Sequence, residues 1–149
     1  MTKPATSIET IAASCIAGRW RMLNRAITNI YNDALRPLGL KASQLSILIV
    51  TAKLGLVRPG QVCEILHLDV STLSRNVKPL QAHGWVEVVP GEDARAQPFR
   101  LTPKGKRLIE KAVPAWEEAQ RRASELLGNE GISLLDKAAR KVGMSQAGH

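Results

Sequence analysis

Residues 69–85 read DVSTLSRNVKPLQAHGW. Val70, Leu73, Val77 and Leu80 recur every three or four positions, the spacing of one helix face. Asp69 in front is a good N-cap, because a short carboxylate accepts from the free N–H groups of a first turn. Gly84 behind closes the helix, since glycine enters the left-handed region at little cost. Pro79 removes one backbone bond, to the carbonyl of Arg75, and predicts a bend there. The opposite face is unusual. Ser71, Thr72, Ser74, Arg75, Asn76 and Lys78 stand where a solvated helix normally carries Glu and Lys.

The neighbouring segments decide what this helix belongs to. Before it, PGQVCEILHL (59–68) reads as a short helix, with Pro59 in its first turn and Val62, Ile65 and Leu66 as its stripe. The link between the two helices is His67 to Asp69, short enough for a helix-turn-helix. After it, WVEVV (85–89) and PFRL (98–101) read as strands around the polar loop PGEDARAQ. A hairpin placed there is a wing. The polar face now has a reason. A helix in the major groove needs compact donors and acceptors, with Asn suited to adenine and Arg to guanine. Its N-terminal part does the reading, which makes Ser71, Thr72, Ser74, Arg75 and Asn76 the candidate base-contacting set. A solvated face of an ordinary core helix would also be polar, but the hairpin and the flanking basic residues favour the reading helix. On the wing tip, Arg95 can enter the minor groove, whose potential attracts guanidinium, and Asp93 can hold it. Spacing alone does not separate that arrangement from an ordinary surface charge pair.

The rest of the chain supplies helices. Ser7 is read as the cap of one long helix over 8–36, with Ile8, Ile11, Cys15, Ile16, Leu23, Ile27 and Ile30 at helical spacing, ended by Pro37 and Gly39. Its first half has no obvious surface to pack on within one small domain, so Ile8, Ile11 and Cys15 call for another. Ser43 is read as the cap of a second, nearly all-apolar helix, SQLSILIVTAKLG, which belongs in the core. Thr102 and Pro103 open a fifth helix to about 127, with Pro114 inside it and Gly128 ending it. A sixth spans about 130–142. No strand–helix–strand alternation occurs, which excludes a parallel sheet. The fold class expected is therefore mainly α with a small β-hairpin, in one domain over 1–149, with the winged helix-turn-helix at 43–102.

The 149 residues carry a formal net charge of +8. The stretches 1–42, 43–102 and 103–149 hold +4, +1 and +3 of it. The surplus suits a polyanion, yet the reading helix lies in the nearly neutral middle. Recognition there would rest on donor geometry more than on charge. Cys15 and Cys63 form no metal or disulfide pattern, which points to a reducing, cytoplasmic compartment. No segment is apolar enough to span a bilayer. His67, His83 and His149 fall in no catalytic motif, and no nucleotide-binding glycine loop is present. No enzyme activity, cofactor or metal is expected.

Three segments together carry a family resemblance: LRPLGLKASQLSIL (35–48), LDVSTLSRNVKPLQAHGWV (68–86) and GEDARAQPFRLTPKGKRL (91–108). The chain resembles the MarR family of bacterial winged-helix transcription regulators over roughly 10–127, most specifically in D-x-S-T-L-S-R, G-W-V, and D-x-R running into L-T-x-x-G. Pro79 resembles a variant within that family. The resemblance implies a homodimer on a palindromic operator in double-stranded DNA, more often a repressor than an activator, commonly of stress-response genes. Carried over by position, Ser71, Thr72, Ser74, Arg75 and Asn76 contact the major groove, Lys78 a phosphate and Arg95 the minor groove, with Asp93 orienting Arg95. The helices at 8–36 and 103–142 would interleave with a second copy. Their interface would draw on Ile8, Ile11, Cys15, Trp116, Ala119, Ala123, Leu126, Ile132, Leu135 and Ala139.

The resemblance also implies a small phenolic or anionic effector between the dimer helices and the DNA-binding lobe, with Arg19, Trp20, Asn24 and Gln44 as its lining. Two alternatives remain. A peroxide-sensing branch of the family uses a first-helix cysteine, and Cys15 lies about one turn earlier than that position. A winged helix can also grip protein, but such a face needs apolar anchors, and the outer face of 70–82 has none.

Overall fold

The computed structural model describes residues 6–91 and 97–143. Six α-helices and three short strands follow in the order α1 (Ser7–Ser14), α2 (Ile16–Leu35), a 3₁₀ turn (Arg36–Leu38), α3 (Ala42–Leu54), β1 (Leu56–Val57), α4 (Pro59–Leu66), α5 (Val70–Ala82), β2 (Val86–Val88), β3 (Phe99–Leu101) and α6 (Pro103–Lys141). Among the described residues, no helix is long and apolar enough to cross a membrane.

The expected long first helix is two helices. Cys15 takes an extended conformation (ψ 110°), and its Sγ accepts from the Gly18 N–H at 3.4 Å, starting α2 afresh. Upstream, the cap is Thr6 rather than Ser7: Thr6 Oγ1 accepts from the Glu9 N–H, and the Glu9 carboxylate accepts from the Thr6 N–H at 2.8 Å. No residue of α1 is buried, so a single chain gives the break at Cys15 no packing to resist it.

Ser43 is likewise not a cap. α3 begins one residue earlier, and its first N–H groups are met from the side: Asn32 Oδ1 accepts from Ala42 N at 2.8 Å and Gln44 Oε1 from Lys41 N at 3.0 Å. Leu45, Ile47 and Leu48 of α3 are buried beside Leu35, Leu40, Val62, Leu73, Leu80 and Phe99. Thr51 is buried there too and keeps its hydroxyl satisfied on the Ile47 carbonyl at 2.7 Å.

The hairpin is one strand wider than the sequence suggested. Leu56–Val57 adds to β3, giving an antiparallel sheet in the order β1-β3-β2, with Val57 and Val88 both opposite Phe99. Two residues are too short a run for alternation to declare a strand.

Besides the core contacts of Val57, Val86 and Phe99, a hydrogen-bonded joint ties the sheet to the helices. Thr102 Oγ1 accepts from the Gly105 N–H at 3.0 Å and donates to the Gly84 carbonyl at 2.6 Å. Its own N–H reaches the Trp85 carbonyl at 3.0 Å. Gly105 is what lets α6 come this close: a Cβ there would sit 2.1 Å from the Trp85 oxygen. The end of α5, the base of the wing and the start of α6 thus share one set of bonds. Farther along, α6 packs on α2, where the Tyr31 hydroxyl donates to Gln120 Oε1. The helix breaks at Gly128 (φ 68°, ψ 171°), the position at which the sequence ended it.

Candidate nucleic-acid interface

α4, a tight turn and α5 form the expected helix-turn-helix, and the three-stranded sheet stands beside it. The turn contains the one described non-glycine residue at positive φ, His67 (φ 52°), which closes α4 in a left-handed cap. Leu73 and Leu80 anchor α5 in the core, which leaves its polar face outward.

Asp69 organises the first turn of α5. One carboxylate oxygen, Oδ1, accepts from the Ser71 hydroxyl and from the Thr72 N–H, each at 2.7 Å. The Ser71 hydroxyl, then the Thr72 N–H, hold the Asp69 carboxyl down to a pKa of about 2. Asp69 therefore stays ionised at neutral pH, and its negative charge complements the helix N-terminus.

Ser71, Ser74, Arg75 and Lys78 are exposed on one side of α5, and Thr72 is half-buried behind them. Arg75 Nη2 lies 3.3 Å from Thr72 Oγ1, a long bond that steers the guanidinium without committing it. Asn76 departs from the expected set. It is half-buried, its Nδ2 donates to the Thr72 carbonyl at 2.8 Å, and its Oδ1 accepts from the Ser43 hydroxyl at 3.0 Å. The amide nitrogen and oxygen that would read adenine are each bonded within the protein, which places Asn76 at the α3–α5 junction. No sequence signal marks the Ser43 contact, because its partner lies far away in sequence, on another helix.

Asp93 and Arg95 lie outside the described residues. At the base of the wing, Arg100 Nε pairs with Glu87 Oε1 across the strands at 2.6 Å, an exposed contact worth little by itself.

The residues expected to line an effector site lie on two helices. Arg19, Trp20 and Asn24 are exposed on α2, and Gln44 is buried with its side chain closing the start of α3. A cavity of about 490 Å³ opens elsewhere, between α3, α4 and α6, lined by Leu45, Ile49, Val50, Leu66, Val113 and Trp116 among others. Among the described residues its lining carries no charged side chain, and its polar groups are the Ser46 hydroxyl and the Trp116 indole N–H.

The surface expected to meet a second copy divides. Ile8 (79% exposed), Ile11 (65%) and Leu126 (53%) stand open, as does Trp116. Cys15, Ile132, Leu135 and Ala139 are half-buried. Ala119 and Ala123 are corrected: both are buried inside the single chain, where α6 packs on α2 and small side chains allow close approach. Ile16 and, outside the expected contacts, Met22 and Leu134 are each more than half exposed and extend the open apolar surface.

Comparison with known proteins gives one consistent answer. A model described as MarR family matches residues 38–96, which run from just before α3 past the end of β2 and stop short of β3. The uncharacterised HTH-type transcriptional regulator YwoH of Bacillus subtilis is 31% identical over 86 residues, 58% of this chain and 63% of that protein. The match to that relative thus spans less than two thirds of its length. The multiple antibiotic resistance protein MarR of Salmonella typhimurium is 27% identical over 124 residues, 81% of this chain and 85% of that protein. Among solved structures, the Mycobacterium tuberculosis transcriptional regulator MOSR in complex with DNA is 30% identical with a TM-score of 0.70, covering 87% of this chain and 99% of that one.

Proposed function

This chain belongs to the MarR family, and from that premise we propose that it is a sequence-specific DNA-binding transcription regulator, a repressor that binds a palindromic operator as a homodimer. The observation that carries the reading is the outer face of α5. Ser71, Ser74 and Arg75 are exposed at the N-terminal end of a helix that Asp69 caps and a wing sheet flanks. Compact donors and one guanidinium on a rigid helix suit base edges, and Lys78, exposed two turns from the N-terminus, suits a phosphate. The MOSR structure, solved with DNA, supports the same use of the fold.

A second copy supplies what α1 lacks. Ile8, Ile11, Ile16, Met22, Leu126 and Leu134 are more than half exposed, an apolar surface of the kind that marks an interface. Two reading helices related by a two-fold axis then require half-sites about 10 bp apart, or a multiple of that.

Release by a small molecule belongs to the same proposal, at the cavity between α3, α4 and α6. Burying an unpaired carboxylate among these side chains would cost several kcal/mol. Of the phenolic or anionic effectors that the resemblance implied, an uncharged aromatic compound therefore fits better than an anion, with Ser46 as its polar contact.

Selection of bound sequences from a random double-stranded pool, at two salt concentrations, tests the reading. A two-fold symmetric motif is the expected result. Binding that depends on salt but selects no motif would leave only a charge-driven binder, and no binding at all would return the winged helix to protein contact.

A further inference from the structure

The reading face of α5 is held by a run of bonds that starts on another helix. Ser43, exposed in the first turn of α3, donates to Asn76 Oδ1 at 3.0 Å. Asn76 Nδ2 donates to the Thr72 carbonyl at 2.8 Å. Thr72 in turn presents Oγ1 to Arg75 Nη2 at 3.3 Å, while its N–H is bound to Asp69. The amide orientation is fixed by chemistry: a backbone carbonyl only accepts, so nitrogen must face Thr72 and oxygen must face Ser43. Three side chains on two helices therefore determine where the Arg75 guanidinium starts from. Asn76 holds the turn that carries Thr72, Ser43 holds Asn76, and Thr72 points Arg75.

We propose that Asn76 and Ser43 are positioning residues for base recognition, which fix the first turns of α5 against α3 and aim Arg75 through Thr72 without touching a base. This rests on the reading of α5 as the recognition helix. Asn76 is then the polar link of the α3–α5 junction, in a position where a half-buried apolar side chain would pack but would not orient anything. Ser43 is the outer end of the link, and its hydroxyl is the group whose loss frees the rest.

Random-pool selection with the full chain tests this, comparing wild type with Arg75→Ala, Asn76→Ala, Ser43→Ala, Ser43→Thr and the double variant Ser43→Ala/Asn76→Ala. Arg75→Ala should erase preference at one base pair per half-site. Asn76→Ala and Ser43→Ala should each weaken preference at that same base pair about 3- to 10-fold, the equivalent of one net hydrogen bond, and leave the other positions unchanged. The double variant should be no worse than Asn76→Ala, because one link is being broken twice. Ser43→Thr keeps the hydroxyl and should restore the wild-type profile.

Three results overturn the proposal. Asn76→Ala could relax a base pair that Arg75 does not read, which would make Asn76 a direct reader. Ser43→Ala could weaken binding equally on all sequences and flatten the salt dependence, which would make Ser43 a phosphate contact. Both variants could keep the wild-type profile, which would leave the bonds without consequence. Should Asn76→Ala not fold, the exposed Ser43 pair still decides the question. A wild type without base preference, or an Arg75→Ala profile equal to wild type, is a different result. It removes the recognition-helix reading itself and takes this proposal with it.

Discussion

At the scale of the residue, Arg75 and Asp69 make the sharpest statements. Arg75→Ala should cost about 1–3 kcal/mol at one base pair per half-site and relax specificity there, read as the ratio of operator to mismatched-operator affinity. Asp69 makes a statement about pH. Its folded carboxyl titrates at about 2, against about 3.9 in an unfolded chain. A depressed carboxyl stabilises the fold above the unfolded value, and that contribution disappears as pH falls from about 4 to about 2. Acid unfolding followed by circular dichroism should show this, and Asp69→Asn, which still accepts from the Thr72 N–H, should lose pH sensitivity in that window. The Asp69 cap was legible in the sequence because it acts locally, three residues ahead, and so was the exposure of Arg75, which follows from its place on a polar face. Asn76 was not legible. Its partner Ser43 is thirty-three positions away, and an amide looks the same in the alphabet whether it faces a groove or a neighbouring helix.

At the scale of the element, the joint at Thr102 carries the clearest prediction. Gly105→Ala would place a methyl group 2.1 Å from the Trp85 carbonyl oxygen. With backbone on the other side, relief requires α6 to move. The variant should lose roughly 3 kcal/mol, at the upper end of overpacking costs, as a fall in the denaturant midpoint. It should weaken DNA binding even though no contact residue has changed. Thr102 and Pro103 could be read as the opening of this helix, but the reason for glycine at position 105 could not, since it lies in the approach of a distant carbonyl. The helix boundaries show the same division. Asp69, Thr102 and Gly128 behaved as read, because short-range stereochemistry decides them. Ser7 and Ser43 did not, because Thr6 met Glu9 in a better capping box and Gln44 with Asn32 satisfied the start of α3 from the side. β1, at two residues, is held only by its pairing with β3.

At the scale of the whole molecule, the open apolar surface of α1, α2 and α6 sets the expectation. Sedimentation should find a two-chain species, and Ile11→Glu with Leu126→Glu should shift it toward single chains and lower operator affinity, since each half-site would then be held alone. The reverse result, unchanged assembly in both variants, would move the interface elsewhere. The apolar periodicity of 8–36 and 103–142 announced a surplus of hydrophobic surface. It could not say which side of each helix its own chain would take, and so Ala119 and Ala123 were assigned outward when their own chain already covers them.

The bonds around Thr102 have a mechanical meaning. They leave no hinge between the reading helix and the long helix that follows the wing. From Pro103 to the break at Gly128, that helix is a rod about 37 Å long at 1.5 Å per residue. Held at its far end, such a rod acts as a lever: a tilt of about 5° swings its near end by ~3 Å, close to the 3.4 Å that separates one base from the next along a strand. A compound that wedges α6 away from α3 need not deform the reading head or unfold anything. In the proposed dimer, a few degrees of leverage would put the two heads out of step with the DNA.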